Sequence, residues 1–128
     1  MALDPTTTER NGDNAASVLV QVSRAIVGVY KEQLGRGPDR VRTYYAGPDA
    51  LVCFLEGTLT PVERTLTTIN EHQRLRELRM LFQHTAEDTF RTAVEDITSR
   101  SVIASSSGID TAADVATEVF VFQPLTGA

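Results

Sequence analysis

Few residues in this chain have the type and spacing to do chemistry. Gly35-Arg36-Gly37-Pro38 offers an arginine and closely spaced backbone N–H groups, the makings of a small anion-binding loop. It lacks the Lys-Ser/Thr of a phosphate loop and does not open a helix. The same residues therefore also read as a helix stop followed by a strand entry. Glu56 and Glu63 flank Leu59-Thr60-Pro61. A catalytic carboxylate pair needs convergence and a shifted pKa; the alternative is a strand-end charge and a capping residue. Arg40, Arg42 and Tyr44 alternate onto one face of a short β-patterned segment. Arginine with an aromatic on a sheet is a way to bind single-stranded RNA, and equally a partner-facing surface. Arg74, Arg76 and Arg79, with Arg64 upstream, could hold a phosphate or an acidic partner. Glu71 and Glu77 beside them give the pattern of a solvated, mixed-charge helix face.

The remaining reactive types narrow the chemistry further. His72 and His84 lie about three turns apart on a continuous helix, too far to share a metal. The single cysteine, Cys53, excludes an internal disulfide and a cysteine-rich zinc site, and sits in an apolar segment as an inert small hydrophobe. Ser105-Ser106-Ser107 has no base near it in sequence. No metal or cofactor is expected. The net charge of −5 and pI near 4.9 count against a general nucleic-acid binder.

These residues need elements to position them. The 128-residue length points to one domain with a core of its own. Residues 1–14 are polar and read as a disordered tail, 15–123 as the domain, and 124–128 as a second short tail. Ala15, Leu19, Val22, Ile26, Val29 and Leu34 predict a helix, capped by Asn14 or Ser17 and stopped at Gly35. Arg40–Ala46 and Ala50–Glu56 predict a hairpin across Gly47-Pro48-Asp49. Thr60-Pro61-Val62-Glu63 carries a capping box with proline at the first helical position. Val62, Leu66 and Ile69 then form a short apolar stripe, broken near Asn70. A long helix over about 73–99 follows, with Leu75, Leu78, Phe82, Ala86, Phe90, Ala93 and Ile97 inward. Ser101–Ser105 and Val115–Phe122 complete the strands, with a polar loop over 106–114.

The expected fold is α+β: an antiparallel sheet of about four strands, helices mainly on one face, in the order α-ββ-αα-ββ. The two halves look like duplicated αββ units. In each a strand runs into a Leu-Thr exit, at Leu59-Thr60 and Leu125-Thr126, and Leu34 before Val41 matches Ile97 before Val102. Ala50–Glu56 and Val115–Phe122 are apolar on both faces, whereas a half-exposed strand alternates. This predicts a homodimer, or docking on another subunit, through the sheet face away from the helices. The competing arrangement sets the first helix on that face.

The stretch from Tyr30 to Glu63 carries Gly35-Arg36-Gly37-Pro38, Val41-Arg42-Thr43-Tyr44, Leu51 to Gly57, and Leu59-Thr60-Pro61-Val62-Glu63. The pattern continues through Arg79 to Phe82 and Val94-Glu95 to Val102. In this order and spacing it resembles the MpsC-like family of small bacterial proteins, over about residues 17 to 122. The family's name attaches it to a sodium-translocating, membrane-potential-generating system. The resemblance implies a link to membrane ion or inorganic-carbon transport. It supplies no catalytic residues. The apolar segment Val18–Tyr30 is interrupted by Gln21, Ser23 and Arg24 and falls short of a membrane span, and the first residues lack the pattern of a secretory leader. The expectation is a cytoplasmic, non-catalytic accessory or regulatory protein, peripheral to the membrane through a membrane-protein subunit. The alternatives are a small-anion binder or enzyme using Gly35–Pro38, and a single-stranded nucleic-acid-binding sheet. The candidate binding residues are Gly35, Arg36, Gly37, Arg40, Arg42, Tyr44, Arg74 and Arg79.

Overall fold

The computed structural model describes residues 6–125, with side chains described from residue 17. Its elements are α1 (Thr6–Leu34), β1 (Arg40–Tyr45), β2 (Ala50–Glu56), α2 (Pro61–Thr68), α3 (His72–Thr85), α4 (Glu87–Thr98), β3 (Val102–Asp110) and β4 (Val115–Phe122). The strands form one antiparallel sheet in the order β1-β2-β4-β3.

Three boundaries differ from expectation. α1 begins at Thr6, so residues 6–14, read as a tail, are helical and neither Asn14 nor Ser17 starts the helix. Once a packed segment has nucleated a helix, each added residue gains a backbone hydrogen bond at little further cost. The expected single helix over 73–99 is two, joined at Ala86. The Thr85 hydroxyl donates to the Phe82 carbonyl, a side-chain bond that competes with the helix's own ladder. β3 runs to Asp110, so the expected loop over 106–114 shrinks to its last residues. Its Ser-Gly composition is a poor strand former. Pairing along β4 from Val102↔Phe122 to Asp110↔Val115 decides the matter instead.

Turn chemistry follows the sequence closely. α1 stops at Gly35, whose φ of +84° suits glycine and whose N–H bonds the Lys31 carbonyl at 3.0 Å. Thr60 caps α2, and its Oγ1 accepts from the Glu63 N–H while the Glu63 carboxylate accepts from the Thr60 N–H.

The helices cover one sheet face. Leu51, Cys53 and Leu55 of β2 and Ala116, Phe120 and Phe122 of β4 are buried there against Val22, Ile26 and Tyr30 of α1 and Phe90 and Val94 of α4. The competing arrangement, α1 on the far face, is not adopted. Two expected stripes hold only in part: Leu66 on α2, and Leu75, Phe82, Ala86, Phe90 and Ile97 along α3 and α4, face the core. On α2, Val62 and Ile69 are 75% and 62% exposed, and the buried residue is Glu63. On α3, Leu78 is 53% exposed, and the buried residues are Leu75, Arg79 and Gln83. Polar residues turn inward at both helices because the sequence brings them partners.

The topology sets two αββ units side by side: the hairpins β1–β2 and β3–β4 meet at a central antiparallel β2–β4 pair, and α1 packs beside α4. Residue matching is weaker. Setting Leu59 on Leu125 would equate Cys53, on the helix side, with Val119, on the open side. Thr126, the other half of that match, lies outside the described residues.

Candidate functional site

The motif residues converge at one end of the sheet. Arg36 donates to the Leu59 carbonyl at 2.8 Å and to Asp39 at 2.7 Å. The Asp39 N–H bonds the Glu56 carbonyl at 2.8 Å. Gly57, at φ +69°, lies so close to Asp39 that a Cβ there would meet its Oδ2 at 2.2 Å. The segment Gly35–Asp39 and the turn Gly57–Glu63 are thus stapled together, and the Arg36 guanidinium is occupied in doing so.

Beneath the turn lies Arg79, 1% exposed. Its Nε donates to Glu63 Oε2 at 2.7 Å, and its Nη2 to the Thr58 carbonyl at 2.6 Å and to Glu63 Oε1 at 3.2 Å. Asp114, itself at positive φ, accepts from the Thr58 and Leu59 N–H groups at 2.8 and 3.2 Å. Burial pushes the Glu63 carboxyl up, but the Arg79 and Thr60 hydrogen bonds and the Arg79 charge prevail and hold it below the usual range. Nη1 of Arg79 is buried with no partner among the described residues. The arrangement joins α2, α3 and the β2 exit into one unit.

A second buried cluster centres on Glu118 of β4, 2% exposed. Tyr30 Oη donates to its Oε2 at 2.8 Å and Gln83 Nε2 donates to the same atom at 3.0 Å. The Ser107 hydroxyl donates to Oε1. Gln83 Nε2 also bonds the Gly108 carbonyl at 3.0 Å. Burial pushes the Glu118 carboxyl up to about 7, against the lowering effect of its three donors. Tyr30 is driven well up, by burial first and then by the Glu118 charge. Cys53, the register partner of Glu118 on the neighbouring strand β2, is pushed up to about 11 by burial and remains a thiol. Ser107 meets a carboxylate, as a nucleophile would meet a base, but Tyr30 and Gln83 already share that carboxylate.

Composition alone shows neither cluster. Glu118 could have been found by parity, since it alternates with the inward Ala116 and Phe120.

The predicted site residues fall into four places. Gly35, Arg36 and Gly37 form the stapled loop. Arg40, Arg42 and Tyr44 lie together on the open sheet face, where Arg42 pairs with Glu56 at 2.9 Å and lies 5.3 Å from the Phe54 ring centre. Arg74 is on the surface beside Glu71 at 3.2 Å. Arg79, expected on the solvated side of its helix with Arg74, is instead in the interior, because Glu63 and Thr58 supply it with acceptors. His72 bonds the Thr111 hydroxyl at 2.8 Å, and His84 is on the surface. Among the described residues no group of three or more His, Cys, Asp or Glu could hold a metal ion, and no helix is long and apolar enough to cross a membrane.

Neither a curated protein nor a solved structure matches the chain. Residues 15–124 match the family described as "Na+-translocating membrane potential-generating system (MpsC)". That span contains the stapled Gly35–Asp39 and Gly57–Glu63 segments, both buried clusters and every strand, and the chain belongs to the MpsC family.

Proposed function

We propose that this protein is a non-catalytic accessory or regulatory component of an ion-translocating, membrane-potential-generating system. The link to such a system rests on the family description. The non-catalytic part rests on one observation: the groups best suited to chemistry are consumed internally. Glu118 is held by Tyr30, Gln83 and Ser107, Glu63 by Arg79 and Thr60, and Cys53 is a buried thiol. What the fold offers outward is surface, so it acts by docking on a membrane-protein subunit from the cytoplasmic side.

Deleting the gene and following a potential-sensitive dye in cells tests the reading. Deletion lowers the membrane potential, and the wild-type gene restores it. Cys53→Ala and Ser107→Ala restore it equally well, because neither side chain performs a reaction. An unchanged potential on deletion overturns the link to the system. Failure of a well-folded Cys53→Ala or Ser107→Ala protein to complement overturns the non-catalytic role.

A further inference from the structure

The sheet face turned away from the helices has no cover among the described residues. Its side chains follow from the registers. They form four rows across the strands: Arg40-Glu56-Val115-Asp110, Arg42-Phe54-Thr117-Gly108, Tyr44-Val52-Val119-Ser106, and Ala50-Val121-Ala104. None of these residues is buried, whereas the opposite face of β2 and β4 supplies much of the core. The middle of the open face is apolar, and its formal charges stand at one end and along the β1 edge. Antiparallel sheets that face water alternate apolar with polar residues. Here the two central strands do not.

We infer that this face packs against the same face of a second copy of the chain, about a two-fold axis running along the strands. This goes beyond the accessory reading and stands independently of it. Such an axis keeps each row level and reverses the order of the strands, so β1 lies over the partner's β3 and β2 over the partner's β4. Arg40 then meets the partner's Asp110, and the symmetric pair forms at the opposite corner. Phe54 lies over the partner's Thr117, next to the partner's Gly108, which leaves room for a ring. Val52 lies over the partner's Val119.

The other in-plane axis, perpendicular to the strands, reverses the rows. It sets Arg40 and Asp110 against the level of Ala50, Val121 and Ala104, where they lose water and meet no opposite charge from the partner. Charge complementarity therefore selects the axis along the strands. Stacked sheets turn by about 30° relative to one another. The long Arg40 side chain can span the resulting offset at the corners.

The extent of the face sets the strength. Four strands at about 4.8 Å and seven residues at about 3.3 Å give a flat footprint of roughly 19 by 23 Å. Two such footprints come to about 900 Å², and the rougher accessible surface is larger, near the lower end of stable interfaces at about 1,200 Å². The dimer should thus dissociate on dilution through the micromolar range.

Sedimentation velocity on the full chain tests this. Wild type should sediment at tens of micromolar as a species of about twice 14.0 kDa and shift toward the monomer on dilution. Val119→Glu should be monomeric with unchanged circular dichroism, because its side chain points away from the core. Arg40→Asp and Asp110→Arg should each weaken the dimer by at least tenfold. Mixed in equal amounts they should recover it, since the mixed dimer restores both corner pairs. A wild-type monomer at these concentrations overturns the second copy as occupant, including the case where only a membrane subunit covers the face. A dimer indifferent to Val119→Glu overturns the surface. Loss on Val119→Glu without recovery on mixing overturns the axis.

Discussion

Replacing Glu118 by Gln should change how stability depends on pH. The wild-type carboxyl lies at about 7 in the folded protein against an ordinary 4.5. The native state therefore holds more protons than the unfolded chain between those values. Stability falls as pH rises through that window and levels off above it. The distance from 4.5 to about 7 corresponds to about 3 kcal/mol in total. Gln cannot ionise and loses this slope. It also brings an NH2 among three donors, although the Tyr30 and Ser107 hydroxyls can turn to accept, so its stability carries a constant offset. The quantity to follow is the difference between Glu118→Gln and wild type, measured by urea unfolding at pH 4.5, 5.5, 6.5, 7.5 and 8.5. Protein concentration must be fixed, since self-association adds to apparent stability. The variant should gain about 3 kcal/mol on wild type across the series, most of it between pH 5 and 7. Other titrating groups are common to both proteins and cancel. Glu63 works with the opposite sign: its depressed carboxyl stabilises above the ordinary range and loses that contribution as pH falls through its folded value, below this window. A difference constant to within about 0.5 kcal/mol from pH 4.5 to 8.5 would refute the reasoning.

Two further substitutions probe the turn at the sheet's end. Arg79→Met leaves Glu63 buried without its counterion and should cost about 3–5 kcal/mol in denaturant unfolding. Adding Glu63→Gln should recover part of that loss, and a single-variant cost under about 1 kcal/mol would mean that the pair is solvated. Thr60→Ala removes the α2 cap and should cost about 1 kcal/mol by the same titration, with no loss counting against the cap.

The fold is legible in this sequence where local signals act alone. Thr60-Pro61-Val62-Glu63 specifies a helix start by its own hydrogen-bonding groups, and Gly35 a helix stop by its φ. β2 and β4 are apolar enough to stand out at any register. What escapes is whatever depends on distant partners. Arg79 sits among Arg74, Arg76 and Glu77 and reads as solvated, because its acceptors, Thr58 and Glu63, lie on other elements. Glu118 draws its donors from Tyr30, Gln83 and Ser107, on α1, α3 and β3. The serines of β3 read as a loop because their strand conformation comes from pairing with β4 rather than from propensity. The motif segments were visible as sequence, but that Arg36 and Gly57 staple one to the other is a fact of three dimensions.

These hidden partners make α3 unlike its neighbours. α4 is held by buried Phe90 and Val94, and α1 by Val22, Ile26 and Tyr30. α3 buries one aliphatic side chain, Leu75, together with Arg79 and Gln83. Half-buried Phe82 adds edge-on contacts with Tyr30 and Phe90, and the rest of the attachment comes from the hydrogen bonds of Arg79 and Gln83 to Thr58, Glu63, Gly108 and Glu118. Apolar contacts are indifferent to small slips, whereas a buried guanidinium or amide displaced from its acceptors forfeits the full cost of its desolvation. Arg79 and Gln83 are one turn apart and bond to different elements, the α2 turn and the β3–β4 pair. Together they fix both the position of α3 along its axis and its rotation about it, which the apolar contacts of Leu75 and Phe82 alone would not do. The polar interior therefore sets the register of α3 on the sheet, and through it the position of the stapled turn that starts α2.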